Sequence, residues 1–545
     1  MPSFSSKPLT KLSVRNILKR INKQRSISIA ATLISLSYLL SRMLGLVRDR
    51  LLASNFGLSA QTDAYSAAFR IPDLLFTLLV SGALAVSFIP VFVGYLERKK
   101  IEDAWNIAST ILNFIIITTL GFGLVAMIWT GPLVKLIAPG FDPERFQLTV
   151  DLTRIMLITP LLFGVSSVLG AIQQSFQRFL LFALASVFYN VGIIIGIIFF
   201  APMFNTPIYG VALGVVTGAA LQTLMQWFGL RGLDFRYRFR LNLRDPAVFR
   251  IIKLMIPRSL DMGLEQINII VVTAIGSQLA AGSLTSFYFA NNLSNVPLGL
   301  FGAAIATAIF PSLIRSAKSH DPERLPHSIR QSIKFVLFLV VPAAAVAVIM
   351  RGYIVRLLLG FGDQVTADVL GWLSGVIIAQ SVFYVVARIF YALEDTRTPL
   401  FTSLMTLGLN VFFSFWMAKE FGVPGLAMAI SLVTSIELLF LLFMLKRKIG
   451  DYGVRAIAWL AAKVFFAAAV MSGVMYGLIT VFFPLYRDER GWRVLGPKFL
   501  IVCIVGGLIY FAICWILRVE ETRAVWRLTE SKYLNKLRKK VWGRG

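Results

Sequence analysis

Runs of about twenty apolar residues recur along this chain, and no other feature restricts its fold as much. Each is long enough to cross roughly 30 Å of hydrocarbon. We find fourteen, centred near Leu39, Leu79, Ile117, Leu162, Gly192, Gly218, Val271, Gly302, Val340, Ala379, Leu409, Leu432, Ala468 and Gly507. Hydrocarbon offers backbone groups no partner, so runs of this length must close their own hydrogen bonds as helices. Composition agrees: 57% of the 545 residues are hydrophobic and 15% charged, whereas soluble domains are about half apolar and about a quarter charged. The expected class is an all-α polytopic membrane protein with fourteen transmembrane helices.

Charge sets the expected orientation. Lys and Arg total 54 against 27 acids, and the basic residues gather between spans, as the positive-inside rule and anionic headgroups require. That distribution argues against nucleic acid as the partner. With the basic residues 1–25 inside, the even-numbered loops are cytoplasmic. They carry Arg98, Lys99 and Lys100, the runs Arg231 to Lys253 and Arg315 to Lys334, and Lys446, Arg447 and Lys448. Both termini then lie in the cytoplasm. No small-residue cleavage site follows the first span, so it reads as a retained helix.

Some spans carry charge. The stretch SRMLGLVRDRLLASNFGLSAQTDAYSAAFRIPDLLFTLLVSGALAVSFIPVF, from Ser41 to Phe92, holds Arg42, Arg48 and Asp49 in its first helix and Asp63, Arg70 and Asp73 in its second. A charge at mid-membrane costs roughly 2.5–3.5 kcal/mol on insertion scales, so such residues face protein or water. Arg42, Gly45 and Asp49 share one helical stripe, with Arg48 about a third of a turn away. Pro72 and Pro90 should each bend the second helix. Three cations with fewer acids suit an anionic ligand better than a closed salt-bridge set. The pair reads as one wall of a polar, cation-lined cavity. On the seventh span Arg258, Asp261 and Glu265 fall at steps of three and four, a spacing that also suits a structural ion pair. Arg388 is expected to snorkel to the surface, and the deeper Glu437 is a candidate for proton or ion coupling.

Enzyme chemistry finds no footing. There is no GxxxxGK[ST] loop for a nucleotide and no nucleophile constellation. His320 and His327 sit in a polar loop without metal-ligand spacing. Cys503 and Cys514 are about 16 Å apart along one helix, beyond disulfide reach. A faint internal repeat relates Ser81-Gly82-Ala83-Leu84-Ala85 through Pro90 to Gly302-Ala303-Ala304-Ile305-Ala306 through Pro311. Transporters are often built from two such halves.

The runs SRMLGLVRD, TDAYSAAFRIPDLL and GALAVSFIPVF, with FYALEDTRTP at 390–399, resemble the MurJ (MviN) family of lipid II flippases. That resemblance implies the fold of the multidrug/oligosaccharidyl-lipid/polysaccharide exporter superfamily, with two six-helix lobes and two further helices forming a lipid-facing groove. The implied division is a basic tail at 1–26, an N-lobe at 27–230 and a basic linker at 231–253. A C-lobe at 254–448, the groove helices at 449–519 and a basic tail at 520–545 complete it. The implied function is movement of the undecaprenyl-pyrophosphate-linked cell-wall precursor to the outer leaflet of the bacterial inner membrane by alternating access. An exporter of another lipid-linked oligosaccharide or of drugs, and a non-transporting scaffold, are the rival readings. Substrate-binding residues are expected at Arg42, Arg48, Asp49, Asp63, Arg70 and Arg258, and ion-coupling residues at Glu265, Asn410, Ser414 and Glu437. No cofactor is expected beyond a monovalent cation or the membrane potential as drive. Lipid II, anionic membrane lipids, and peptidoglycan-synthesis and division proteins are the expected partners. Two family cations are replaced: Phe76-Thr77 stands on the second helix and Asn291-Asn292 on the eighth.

Overall fold

The computed structural model describes residues 27–81, 87–319, 321, 323–486, 489 and 491–523, leaving aside the side chains of 27–33, 81, 257 and 261. Residues 82–86 of the repeat, His320, Asp261's side chain and most of both basic tails lie outside that set. Among the described residues the chain is helical and forms no strand. The helices are α1 (Ile27–Phe56), α2 (Ala60–Ala68), α3 (Arg70–Phe76), α4 (Ile89–Glu97), α5 (Ile101–Ile128), α6 (Thr130–Ile137), α7 (Pro143–Met156), α8 (Thr159–Ser175), α9 (Leu180–Ile195) and α10 (Ile208–Gly229). They continue with α11 (Pro246–Gly276), α12 (Ser283–Pro297), α13 (Ala304–Ala317), α14 (Arg324–Ile349), α15 (Arg351–Leu359), α16 (Gln364–Ala392), α17 (Arg397–Phe421), α18 (Val423–Ile449), α19 (Val454–Val481) and α20 (Trp492–Ile516). Eleven helical runs among the described residues are long and apolar enough to cross a membrane. The other three expected spans, near Leu39, Leu79 and Val271, fall on helical runs that include residues outside the described set.

Packing divides the chain into two units, one of residues 1–52 and 64–270, the other of 53–63 and 271–545. In the first, buried Phe88, Phe92, Trp105, Ile111, Leu169 and Ile251 share a core. Its tightest seam joins α9 to α10, where a Cβ on Gly192 would stand 2.2 Å from Gly218 Cα and one on Gly196 would stand 2.4 Å from Gly214 Cα. Lipid is as apolar as leucine, so close backbone approach through small residues does the holding that water exclusion does elsewhere. The second unit has its own core, which runs from Phe338 on α14 through Phe390 on α16 to Val464 on α19 and Tyr510 on α20. The Tyr510 hydroxyl donates to Phe338 O at 2.7 Å, which satisfies a polar group inside that core.

The repeat reaches further than the small-residue match. One π-helical turn begins at Thr77 and another at Leu298, 221 residues on. The short helices α6 and α15 begin at Thr130 and Arg351, and α7 and α16 at Pro143 and Gln364, again 221 residues apart. The aspartates before the latter pair, Asp142 and Asp363, both cap their helix by accepting from a backbone N–H, of Arg145 at 3.0 Å and Thr366 at 2.6 Å. The helix of the second span is interrupted ahead of Pro72. Proline lacks the N–H that would bond back four residues, and the chain breaks at Phe69, three residues before Pro72. Pro90 instead opens α4, where no such bond is needed.

Candidate functional site

In the first unit α1 and α9 build a polar cluster inside an apolar bundle. Arg48 donates to Asp49 Oδ1 from Nε at 2.9 Å and from Nη2 at 2.7 Å. Its Nη1 donates to Asn190 Oδ1 at 3.3 Å. Asn190 is fixed in turn, because its Nδ2 lies 3.2 Å from Ser41 O, from Ser41 Oγ and from Ser186 O. Those acceptors force its oxygen toward the guanidinium. Tyr65 and Tyr189 also lie near Arg48. The Arg48 side chain keeps 24% of its surface and Asp49 only 10%.

Arg48 is therefore not the bare cation that the sequence suggested. Neighbouring residues on a helix point a third of a turn apart, but the long guanidinium arm folds back to its neighbour's carboxylate. Of its five N–H donors, three are engaged with Asp49 and Asn190, and two keep no protein partner among the described residues.

The other expected substrate residues lie on several elements. Arg42 is half-buried on α1, with no hydrogen bond or ion pair among the described residues. Arg70 turns its Nε and Nη2 onto Ser66 O, at 3.2 and 3.1 Å, across the junction of α2 and α3. Arg258 and Glu265 are exposed on α11. Asp63, in the second unit, is 1% exposed and sits at the start of α12. Its Oδ2 accepts from Gly282 N at 2.7 Å. Its Oδ1 accepts from Thr285 N at 2.8 Å and Thr285 Oγ1 at 2.7 Å. A carboxylate there meets both the orphan N–H groups and the positive end of the helix dipole.

Two expected coupling residues do meet, in the second unit. Ser414 Oγ donates to Asn410 Oδ1 at 2.9 Å, and both residues are buried. Glu437 on α18, 6% exposed, lies beside Thr406 on α17. Thr402, Thr406, Asn410 and Ser414 recur every four residues and so form one polar stripe on α17. Arg388 Nη2 donates to Thr307 Oγ1 at 3.1 Å, and its guanidinium stacks over Phe310.

Sequence reasoning missed Ser41, Ser186 and Asn190, and also Thr402 and Thr406. An asparagine inside an apolar span was the available signal, since an amide there needs a partner. A cavity of about 230 Å³ lies elsewhere, at the start of α5, lined by Ile101, Glu102, Trp105, Asp234, Arg236 and Arg238. Its lining joins two acids to two arginines.

The sequence model of the family described as "Lipid II flippase MurJ" matches residues 52–487, most of the chain. The chain belongs to the MurJ family. "Lipid II flippase MurJ" of Burkholderia cenocepacia is 28% identical over 503 residues, covering 88% of this chain and 95% of its own. Among solved structures, "Lipid II flippase MurJ, inward closed conformation" is similar with a TM-score of 0.74 at 22% identity, over 89% of this chain and 98% of that one. An inward-facing multidrug resistance MATE transporter of the MOP superfamily follows with a TM-score of 0.66 at 14% identity, over 78% and 98%. Both structural matches speak for the fold. Arg42, Arg48 and Asp49 precede the segment that the MurJ family model matches, and the other expected site residues lie within it. The MurJ family and the apolar helices make this a multi-pass protein of the bacterial inner membrane.

Proposed function

We propose that this chain is a lipid II flippase, which moves the undecaprenyl-pyrophosphate-linked peptidoglycan precursor from the inner to the outer leaflet by alternating access. The family match supports the cargo, and the Arg48 cluster supports the chemistry. A diphosphate cannot cross hydrocarbon unaided, so a carrier must offer it fixed cations. Arg48 retains two unshared N–H groups and partial exposure. Two parallel N–H donors match two phosphate oxygens. Asp49 and Asn190 hold the guanidinium in place, so less rotamer freedom is lost when cargo arrives. Arg42 and Arg50 are further cations on the same helix.

On this reading the protein transports and does not catalyse, and it needs no bound cofactor. A monovalent cation or the membrane potential supplies the drive. The buried Glu437 carboxylate, beside Thr406 and within a few turns of Asn410 and Ser414, supports a coupling role for α17 and α18. The family match favours neither a drug exporter nor a scaffold for wall-synthesis and division proteins. The test is precursor exposure at the outer leaflet, normalised to protein level, in cells depleted of their own flippase. Arg48→Ala should abolish it, Arg48→Lys should retain part, and Asn292→Arg should partly rescue the lysine variant. Normal flipping by Arg48→Ala would refute the reading of this cluster.

A further inference from the structure

Between α10 and α11 the chain runs extended along the first turns of α5, and its backbone is bonded by side chains instead of by a strand. Glu102, Asn106, Ser109 and Asn113 fall on one stripe of α5, at steps of four, three and four. Asn113 Nδ2 donates to Arg238 O at 3.3 Å and Arg240 O at 2.9 Å. Ser109 Oγ accepts from Arg238 N at 3.2 Å. Asn113 Oδ1 accepts from the Tyr237 hydroxyl at 2.7 Å. The Arg238 side chain reaches Asn106 Oδ1 at 3.3 Å and Glu102 at 3.5 Å. Phe235 packs edge-on against Trp105 at 5.2 Å. This is a built strap, not a loose loop.

Its outer side has a different character. Phe239 is 88% exposed, and Leu241 and Leu243 are also exposed. Arg236, Arg240 and Arg244 lie exposed among them. From Arg231 to Lys253 there are seven basic residues and two acids. In water an extended backbone needs no dedicated partners. Where lipid excludes water it needs them, and the α5 stripe supplies partners to Arg238 N, Arg238 O and Arg240 O, on either side of Phe239. Arginines flanking an exposed aromatic match a membrane interface, with the ring below the headgroups and the guanidinium groups on phosphates.

We propose that the strap at 235–244 is an interfacial anchor that seats anionic phospholipid headgroups on Arg236, Arg240 and Arg244, with Phe239 inserted among the acyl chains. The inference requires the chain to be membrane-embedded and does not depend on its cargo. It places a lipid-sensing element directly before α11.

The test uses the full chain in nanodiscs of phosphatidylcholine or phosphatidylglycerol, each brominated on its acyl chains. Phe239→Trp adds one reporter, read as the fluorescence difference from the unmodified protein. Quenching of that reporter is expected in both lipids, and more strongly in phosphatidylglycerol when the two are mixed. Each arginine changed to glutamine should lower the preference about fivefold, and the three together should remove it. A reporter that neither lipid quenches would overturn the proposal, since the surface then faces water or another protein. Equal quenching by both lipids would overturn the headgroup assignment. The tryptophan measurement stands even where the triple variant is poorly recovered.

Discussion

Removing the Asp63 carboxylate should loosen the start of α12 before it affects anything else. The side chain is buried and is the acceptor for Gly282 N, Thr285 N and Thr285 Oγ1. Asp63→Ala leaves two backbone N–H groups without that acceptor, at about 1–3 kcal/mol each, and deletes a charge that the helix dipole favours, for a total of about 3–5 kcal/mol. Asp63→Asn keeps one acceptor oxygen of the same shape and should lose about 1–3 kcal/mol. Gly282→Ala is a check from the opposite side. Gly282 has φ +86°, and an added Cβ would stand 2.7 Å from Leu58 O, so this variant should be destabilised although Asp63 is intact. Thermal unfolding in detergent, followed by loss of monodisperse protein, should rank wild type above Asp63→Asn, and Asp63→Asn above Asp63→Ala. An Asp63→Ala protein that unfolds like wild type would refute the capping argument. An Asp63→Asn protein of normal stability that cannot flip precursor would return the residue to the cargo.

Other measurements reach other parts of the molecule. Asp395 lies in the link between α16 and α17. Burial alone would raise its pKa, but Lys448 Nζ at 2.5 Å and the Thr398 N–H and hydroxyl outweigh it and hold the pKa at about 2. Its contribution is thus complete above the usual aspartate value of about 3.9 and is lost as pH falls through about 2. Pepsin should cut this link at pH near 2 and spare it near 4, while Asp395→Asn should be cut at both. Gly214→Ala should reduce folded protein recovered from membranes through an overpacking cost of about 1–3 kcal/mol or more. Gly477→Ala, with nothing within 4 Å of the added Cβ, should be recovered normally. Cysteines replacing Ser59 and Thr206 should react with an impermeant reagent from outside intact cells, and one replacing Ser319 should not. External labelling at 319 would reverse the expected orientation.

The long helices were legible because hydrocarbon thickness imposes a length, and length shows in a sequence. The short helices α6 and α15 carry no such signature, and neither do the π-helical turns, which differ from α-helix by a single residue per turn. At the site, burial could be inferred from charge in an apolar run, but partnership could not. Asn190 is 142 residues from Arg48, and Asp63 reaches a backbone N–H 219 residues away. Such pairings are set by tertiary packing, which helical spacing does not encode. The cost of an unpartnered amide in lipid could have marked Asn190 as worth pairing, but not with what.

The π-helical turns Thr77–Ser81 and Leu298–Ala303 occupy equivalent places in the two halves. A π turn stores one residue beyond the α ladder. If that residue passes into regular α-helix, everything beyond it turns by about 100° and advances about 1.5 Å. Both halves thus hold the same indexed step, enough to exchange one helix face for another without breaking a span. Such a step can present a different set of side chains to a neighbour with only a small shift along the helix axis.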